Sequence, residues 1–293
     1  MSGSARVGVV IATKGRPQLV ALVVDTLARQ TKPPDAIVLA VSDAADAPRA
    51  VGGKATIVQS PPGSAPQRNA GIEALGNSVD VIVFFDDDFV PSRYWIENLS
   101  ALFASEPDIV AATGKVLIDG INTGGLTWDA AARRIESADR TPQHAPGSIK
   151  DNVSPYGCNM AFRVAAIGDL RFDERLVLYG WQEDTDFGAR IASRGRCISS
   201  DALWGIHLGS KGGRSPGRPL GYSQIVNPRY LVAKGTMRPL KAIELAGRNL
   251  AANAVRSLRP EPNVDRLGRL YGNLVGLWDI AMGRCRPERA GEL

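Results

Sequence analysis

Val7-Gly8-Val9-Val10-Ile11-Ala12-Thr13-Lys14-Gly15-Arg16-Pro17 is the stretch that decides the fold class. Its first half is a continuous apolar run rich in β-branched residues, the pattern of a strand buried on both faces of a parallel sheet. Its second half is a polar turn closed by proline. Beyond Pro17, apolar residues at Leu19, Val20, Leu22, Val23, Val24 and Leu27 have the spacing of a helix laid on that sheet. Pro33-Pro34 stops the helix, and 36–41, 55–59 and 80–85 read as further strands, with a helix over 65–75. Strand and helix alternating through short connections predict βαβ units. The expected fold class is α/β, a mostly parallel, Rossmann-like sheet flanked by helices.

In open sheets of this kind ligands bind at the carboxyl ends of the strands. Three polar clusters stand at such ends: Thr13-Lys14-Gly15-Arg16, Ser42-Asp43 and Asp86-Asp87-Asp88. Residues 1–90 therefore read as a nucleotide-binding half. Neither GxGxxG nor GxxxxGK[ST] is present, so a nicotinamide site and a P-loop are not indicated. Farther along, 91–103 predicts a helix and 109–117 a strand. The Gly-, Thr-, Pro- and His-bearing stretch 120–150 reads as a mobile insertion. Spaced apolar residues from Ile243 to Leu258, and again from Leu267 to Ile280, predict a helical extension over 236–293. The domain boundary is placed near 236, with 91–235 as an acceptor half.

Bulk properties narrow the class. The 293 residues carry 44% hydrophobic and 22% charged side chains with no low-complexity tract, as expected of a globular chain. Cys158, Cys197 and Cys285 are far apart and odd in number, which suits reduced thiols in the cytoplasm. The apolar run at the N-terminus is too short for a signal peptide, and no stretch approaches the ~20 apolar residues of a membrane span. The net charge of +5 is uneven, because 236–293 holds ten Lys/Arg against six Asp/Glu. A basic tail suits peripheral contact with an anionic membrane at its inner face, or simply a solvated helical face. No nucleic-acid partner is indicated, and the oligomeric state is left open.

Asp86-Asp87-Asp88 carries the strongest chemistry. Unpaired carboxylates cannot be buried cheaply at the end of an apolar strand. A hard divalent cation, Mg2+ or Mn2+, offsets their repulsion and bridges carboxylate to phosphate; an exposed acidic turn is the plainer alternative. A second cluster, Trp181-Gln182-Glu183-Asp184-Thr185-Asp186, opens a helix. Helix capping would explain acids there. An aromatic ring beside them also suits stacking on a sugar while a carboxylate takes a hydroxyl proton. His207 precedes Gly209-Ser210-Lys211-Gly212-Gly213-Arg214, a glycine-rich basic loop able to wrap a diphosphate.

Taken in order, these motifs resemble glycosyltransferase family 2, with its GT-A fold. Val9–Pro17 is similar to the family's opening strand and loop, Gln67-Arg68-Asn69-Ala70-Gly71 to its A-R-N-x-G segment, and Phe84-Phe85-Asp86-Asp87-Asp88 to its DxD strand. Gly157-Cys158-Asn159-Met160 resembles its acceptor-side segment, and Gly180 to Asp186 its ED motif. The resemblance spans roughly 7–235. It implies a metal-dependent, inverting transferase moving sugar from a nucleotide-diphosphate sugar, with uridine diphosphate expected, to a hydroxyl of a saccharide or glycolipid. It implies Asp88, Asp86 and His207 as metal ligands. Donor contacts would come from Ala12, Thr13, Arg16, Asp43, Arg68, Asp86, Asp87, Lys211 and Arg214. Asn159 and Trp181 would face the acceptor, and Asp184, or Glu183, would be the base. Ser42-Asp43 departs from the paired acids usual at that place. A nucleotidyltransferase would need a Gly-rich loop after the first strand, for which 13–17 is too short. A non-catalytic sugar-binding domain on the same fold is the remaining alternative.

Overall fold

The computed structural model describes residues 4–49, 55–122, 124–142, 144–210, 216–259, 261 and 264–293. The elements run β1 (Val7–Thr13), α1 (Pro17–Ala28), β2 (Ala36–Val41), β3 (Ala55–Gln59), α2 (Ser64–Leu75), β4 (Val81–Asp86), β5 (Phe89–Pro91) and α3 (Trp95–Ser105). They continue with β6 (Ile109–Asp119), α4 (Trp128–Ala138), β7 (Ile149–Asp151), β8 (Asn159–Arg163), α5 (Val164–Ile167) and α6 (Glu183–Ile191). The last are β9 (Arg196–His207), α7 (Gly217–Lys234), α8 (Pro239–Ser257) and α9 (Arg266–Ala281).

The chain divides into two compact units. The first comprises 1–62, 66–171 and 190–213 and holds one sheet in the order β3-β2-β1-β4-β8-β6-β9-β5, with β7 also paired to β9. The β3-β2-β1-β4 half is parallel throughout, as continuous apolar strands joined by helices demand. From β8 onward the pairing is mixed, since β8 runs antiparallel to both β4 and β6. Val20, Val23, Val24 and Leu27 give α1 the buried face expected from their spacing. Under the strand ends, Phe85 stacks on Phe89 at 5.2 Å between ring centres and meets the edge of Trp95 at 4.7 Å.

The 120–150 stretch departs from expectation. It contains α4, capped by Thr127 and buried through Ala131 and Ile135, and the strand β7. The buried spacing of only two residues was too sparse to register as a helix beside its Gly- and Pro-rich flanks. Pro91 likewise ends β5, and the helix expected from residue 91 begins at Trp95.

The second unit comprises 63–65, 172–189 and 214–293. The boundary expected near 236 falls inside it, between α7 and α8. Helix α7 has no clean apolar period, with Pro228 inside it and glycines on its packing face. A Cβ at Gly221 would meet the backbone of α9, and one at Gly272 the backbone of α7, so the two helices touch through main chain. Among the described residues no helix is long and apolar enough to cross a membrane.

Candidate active site

The parallel pairing of β1, β2 and β4 delivers Thr13, the 42–46 turn and Asp86 to one end of the first unit's sheet. β9, parallel to β6, brings His207 to the same register as Asp119. Asp86, Asp88 and His207 each offer one ligand atom within 4.8 Å of the others. Nε2 of His207 lies 3.2 Å from Oδ1 of Asp88 and 3.9 Å from Oδ2 of Asp86. A cation with ligands at about 2.1 Å requires donor atoms roughly 3–4 Å apart, and this oxygen, oxygen, nitrogen set fits one.

The other atom of each ligand is held elsewhere. Oδ1 of Asp86 accepts from Nη2 of Arg68 at 3.1 Å, and Oδ2 of Asp88 from the Ser210 amide at 2.7 Å. Nδ1 of His207 faces Oδ1 of Asp119 at 2.9 Å, leaving Nε2 toward the carboxylates. Outer carboxylates of this sort orient a ligating imidazole. Asp87 turns the opposite way, accepting from Thr13 Oγ1 at 2.8 Å and Arg16 Nη1 at 2.6 Å. Consecutive residues of the triad thus split into two facing the histidine and one tying the β1 loop.

The electrostatics reflect this crowding. Burial would push the His207 imidazole down, but its bonds to Asp119 and Asp88 and the nearby carboxylate charges outweigh that and raise it to about 10. Burial pushes Asp86 up, opposed by Arg68 and His207. Asp87 is pushed up by burial to about 6. Asp88, although buried, is held below the usual range by His207 and the Ser210 amide. Positive charge is what such a cluster recruits. A proton on His207 or, in its place, a divalent cation would supply it.

Other expected residues fall as follows. Ala12 sits in β1 between Ala40 and Asp86. Arg68 is buried and also bonds the Gly157 carbonyl at 3.1 Å. Asp43 is exposed at the end of β2 and caps a short turn through the Ala45 amide. Lys211 and Arg214 lie outside the described residues. Asn159, expected to face an acceptor, is fully buried in β8, with Oδ1 accepting from Thr113 Oγ1 and the Gly114 amide. That carboxamide oxygen stitches β8 to β6, and Nδ2 donates to Cys158 Sγ at 3.5 Å.

In the second unit, Leu178, Gly180 and Gln182 all have left-handed φ, so the turn before α6 doubles back sharply. Two of these are not glycine, a strain that concentrates at functional turns. Glu183 is buried, and Asp184 is half-buried with Oδ1 accepting from the Thr185 amide at 2.7 Å. Trp181 packs partly on the Leu176, Leu231, Met237 cluster, and its carbonyl accepts from Asn227 Nδ2 at 2.9 Å. Asp186 is fully buried against Lys234 Nζ at 2.9 Å and Thr236 Oγ1 at 2.8 Å.

Two residues escaped the sequence reading. Asp119 ends β6, and an acid closing an apolar strand at the ligand-binding edge was its available signal. Asp46 accepts from the Gly15 amide at 2.6 Å and from Ser42 Oγ at 3.1 Å, tying the β1 and β2 loops together. Its signal was the capping spacing with Asp43.

A model of Glycosyl transferase family 2 matches residues 8–171, more than half of the chain. The chain belongs to glycosyl transferase family 2. As a family 2 glycosyltransferase it carries the GT-A fold, with the sheet and flanking helices described above followed by C-terminal helices. Its fold is similar to the mannosyltransferase PcManGT from Pyrobaculum calidifontis in complex with GDP-Man and Mn2+, at TM-score 0.56 and 17% identity over 95% of this chain and 88% of that one. It is also similar to glucosyl-3-phosphoglycerate synthase from Mycobacterium tuberculosis in complex with Mg2+ and UDP, at TM-score 0.51 and 16% identity over 80% and 81%. At these identities the likeness is one of fold. No curated protein matches in sequence.

Proposed function

We propose that this glycosyltransferase moves a sugar from a nucleotide-diphosphate sugar, with uridine diphosphate as its nucleotide, onto a hydroxyl of a saccharide or glycolipid with inversion. The observation that carries the reading is the convergence of Asp86, Asp88 and His207, each with its second atom pinned. These three would hold Mn2+ or Mg2+, which when bound supplies positive charge to a departing diphosphate. The complexes of PcManGT with GDP-Man and Mn2+ and of the synthase with Mg2+ and UDP support that class of donor and metal.

The chain's own groups supply the remaining chemistry. Thr13 and Arg16, held by Asp87, line the strand-end loop expected to meet the nucleotide. Arg68 orients Asp86 and offers a cation beside it. Asp43, exposed just beyond β2, is the acid proposed to meet the base. Lys211 and Arg214 are proposed to meet the diphosphate. Asp184 takes the acceptor proton, with Glu183 as the neighbouring carboxylate and Trp181 shaping the acceptor side. Titration calorimetry with UDP, with and without Mn2+, tests the donor. Metal-dependent binding is expected, and no binding to any nucleoside diphosphate with Mn2+ present would overturn the reading. The anomer of the product, read by NMR, tests inversion.

A further inference from the structure

Helix α9 is sharply two-faced. Its inward side is Gly272, Asn273, Gly276 and Asp279, all buried. Its outward side carries Leu267, Tyr271, Leu274, Leu277, Trp278 and Met282, with Leu267 at 66% and Trp278 at 61% exposed. At 100° per residue these six fall within one apolar stripe, and no charged residue interrupts it. Helix α8, joined to α9 through an Asn253 to Asn273 bond of 2.9 Å, leaves Leu240, Ile243 and Leu258 exposed as well. Apolar exposure on this scale marks an interaction surface.

Charge says what kind. The acids of this segment are largely consumed within it: Asp279 is buried with Tyr222 and Arg289, Asp265 caps α9, Glu261 bridges Arg256 and Arg266, and Glu244 pairs with Lys241. Arg238, Arg248, Arg259 and Arg286 are exposed and make no ion pair among the described residues. On α8, Lys241 and Arg248 stand two turns apart on one flank, beside the Leu240, Ile243 stripe. At the edge of the α9 stripe the Arg218 guanidinium lies over the Tyr271 ring, 3.9 Å from its centre. An apolar stripe holding Trp and Tyr, rimmed by uncompensated arginines, complements an anionic lipid surface. A second copy fits less well, because pressing two such faces together brings like-charged rims into contact. Since no described helix can span, the contact is one of lying in the interface.

We propose that the outward faces of α8 and α9 form a docking surface for an anionic membrane, with the α9 stripe immersed and the arginines on lipid headgroups. The proposal stands apart from the transfer chemistry, so its test does not use activity. The full chain is sedimented with vesicles of phosphatidylcholine, alone or mixed with phosphatidylglycerol. Co-sedimentation with the anionic vesicles is expected, weakened by salt. Leu274→Glu with Trp278→Glu should abolish it. Arg248→Glu with Arg259→Glu should lower partitioning by at least about thirtyfold. All four positions are exposed, so thermal unfolding of both variants should match the parent and shows that folding is not at issue. Absence of binding, or equal binding to neutral vesicles, overturns the proposal. So does light scattering that shows a dimer broken by the α9 variant without vesicle binding, which would assign the face to a second copy.

Discussion

Asp119 and His207 stand opposite one another across the parallel β6 and β9 pair, and their side chains meet with Oδ1 2.9 Å from Nδ1. Asp119 is itself fixed by the Tyr156 hydroxyl at 2.8 Å and the Ile121 amide at 3.0 Å. The imidazole therefore cannot turn its Nδ1 toward Asp86 and Asp88. The orientation belongs to the sheet as much as to the site.

Replacing Asp119 by Ala should accordingly weaken Mn2+-dependent nucleotide binding by about 10–100-fold, the usual cost of losing a partner behind a metal ligand. Calorimetry with UDP and Mn2+ reads it directly. An unchanged affinity, with the fold intact, would reduce Asp119 to a strand-end anchor.

The same pair sets a pH dependence. The folded-state imidazole is raised to about 10 from an ordinary 6.5, so its protonation stabilises the metal-free fold. That contribution is complete below pH 6.5 and is lost as pH rises through 10. A cation needs the neutral imidazole, so binding releases a proton and affinity should climb over that window. Thermal unfolding without metal, from pH 6 to pH 10, should show a steeper loss for the parent than for His207→Gln. Parallel slopes would mean that the histidine is neutral in the folded protein.

How much of this was legible in the sequence depends on the range of the interaction. β1, α1, β2 and β4 were readable because each is an uninterrupted apolar run or a clear helical period, and local pattern suffices for those. Asp86, Asp88 and His207 were readable as chemistry because carboxylates at strand ends and a histidine near a glycine-rich loop are rare combinations. Asp119 and Asp46 were not, since each is an isolated acid in the sequence until long-range pairing sets it beside its partner. The strand-to-strand bonds of Asn159 were hidden for the same reason, its carboxamide oxygen being taken by Thr113 and Gly114 on a strand distant in sequence. Helix α7 hid because glycine and main-chain contact, which leave no apolar period, bind it to α9.

In the second unit Lys234 answers two carboxylates, Asp173 at 2.5 Å and the fully buried Asp186 at 2.9 Å. Although Asp173 is partly buried, which would raise it, its bonds to Lys234 and Tyr230 hold it below the usual carboxylate range. Lys234→Met removes the ammonium 2.9 Å from Asp186 and keeps the Thr236 bond. Removing one partner of a buried pair costs about 3 kcal/mol. Urea unfolding should show that loss as a lower midpoint at unchanged slope. A midpoint equal to the parent's would show that the Lys234 ion pair contributes nothing net to the fold.

Asp184 is proposed to act in the proton transfer itself. It sits half-buried in the first turn of α6. The strained 178–182 turn delivers it there, with Gly180 close enough to Ser64 and Glu183 that a Cβ would collide. Asp184→Asn keeps the shape and the bond from the Thr185 amide but cannot take a proton. Loss of a general base lowers turnover by about 10²–10⁴-fold. Donor affinity measured with Mn2+ should hardly change, because none of Asp86, Asp88 and His207 is altered. The expected signature is therefore a fall in kcat without a rise in the dissociation constant for UDP. Should Glu183→Gln show that signature instead, the base is the neighbouring carboxylate. If both variants keep near-parental turnover, neither acid takes the proton and the inverting mechanism proposed for this chain is lost with them.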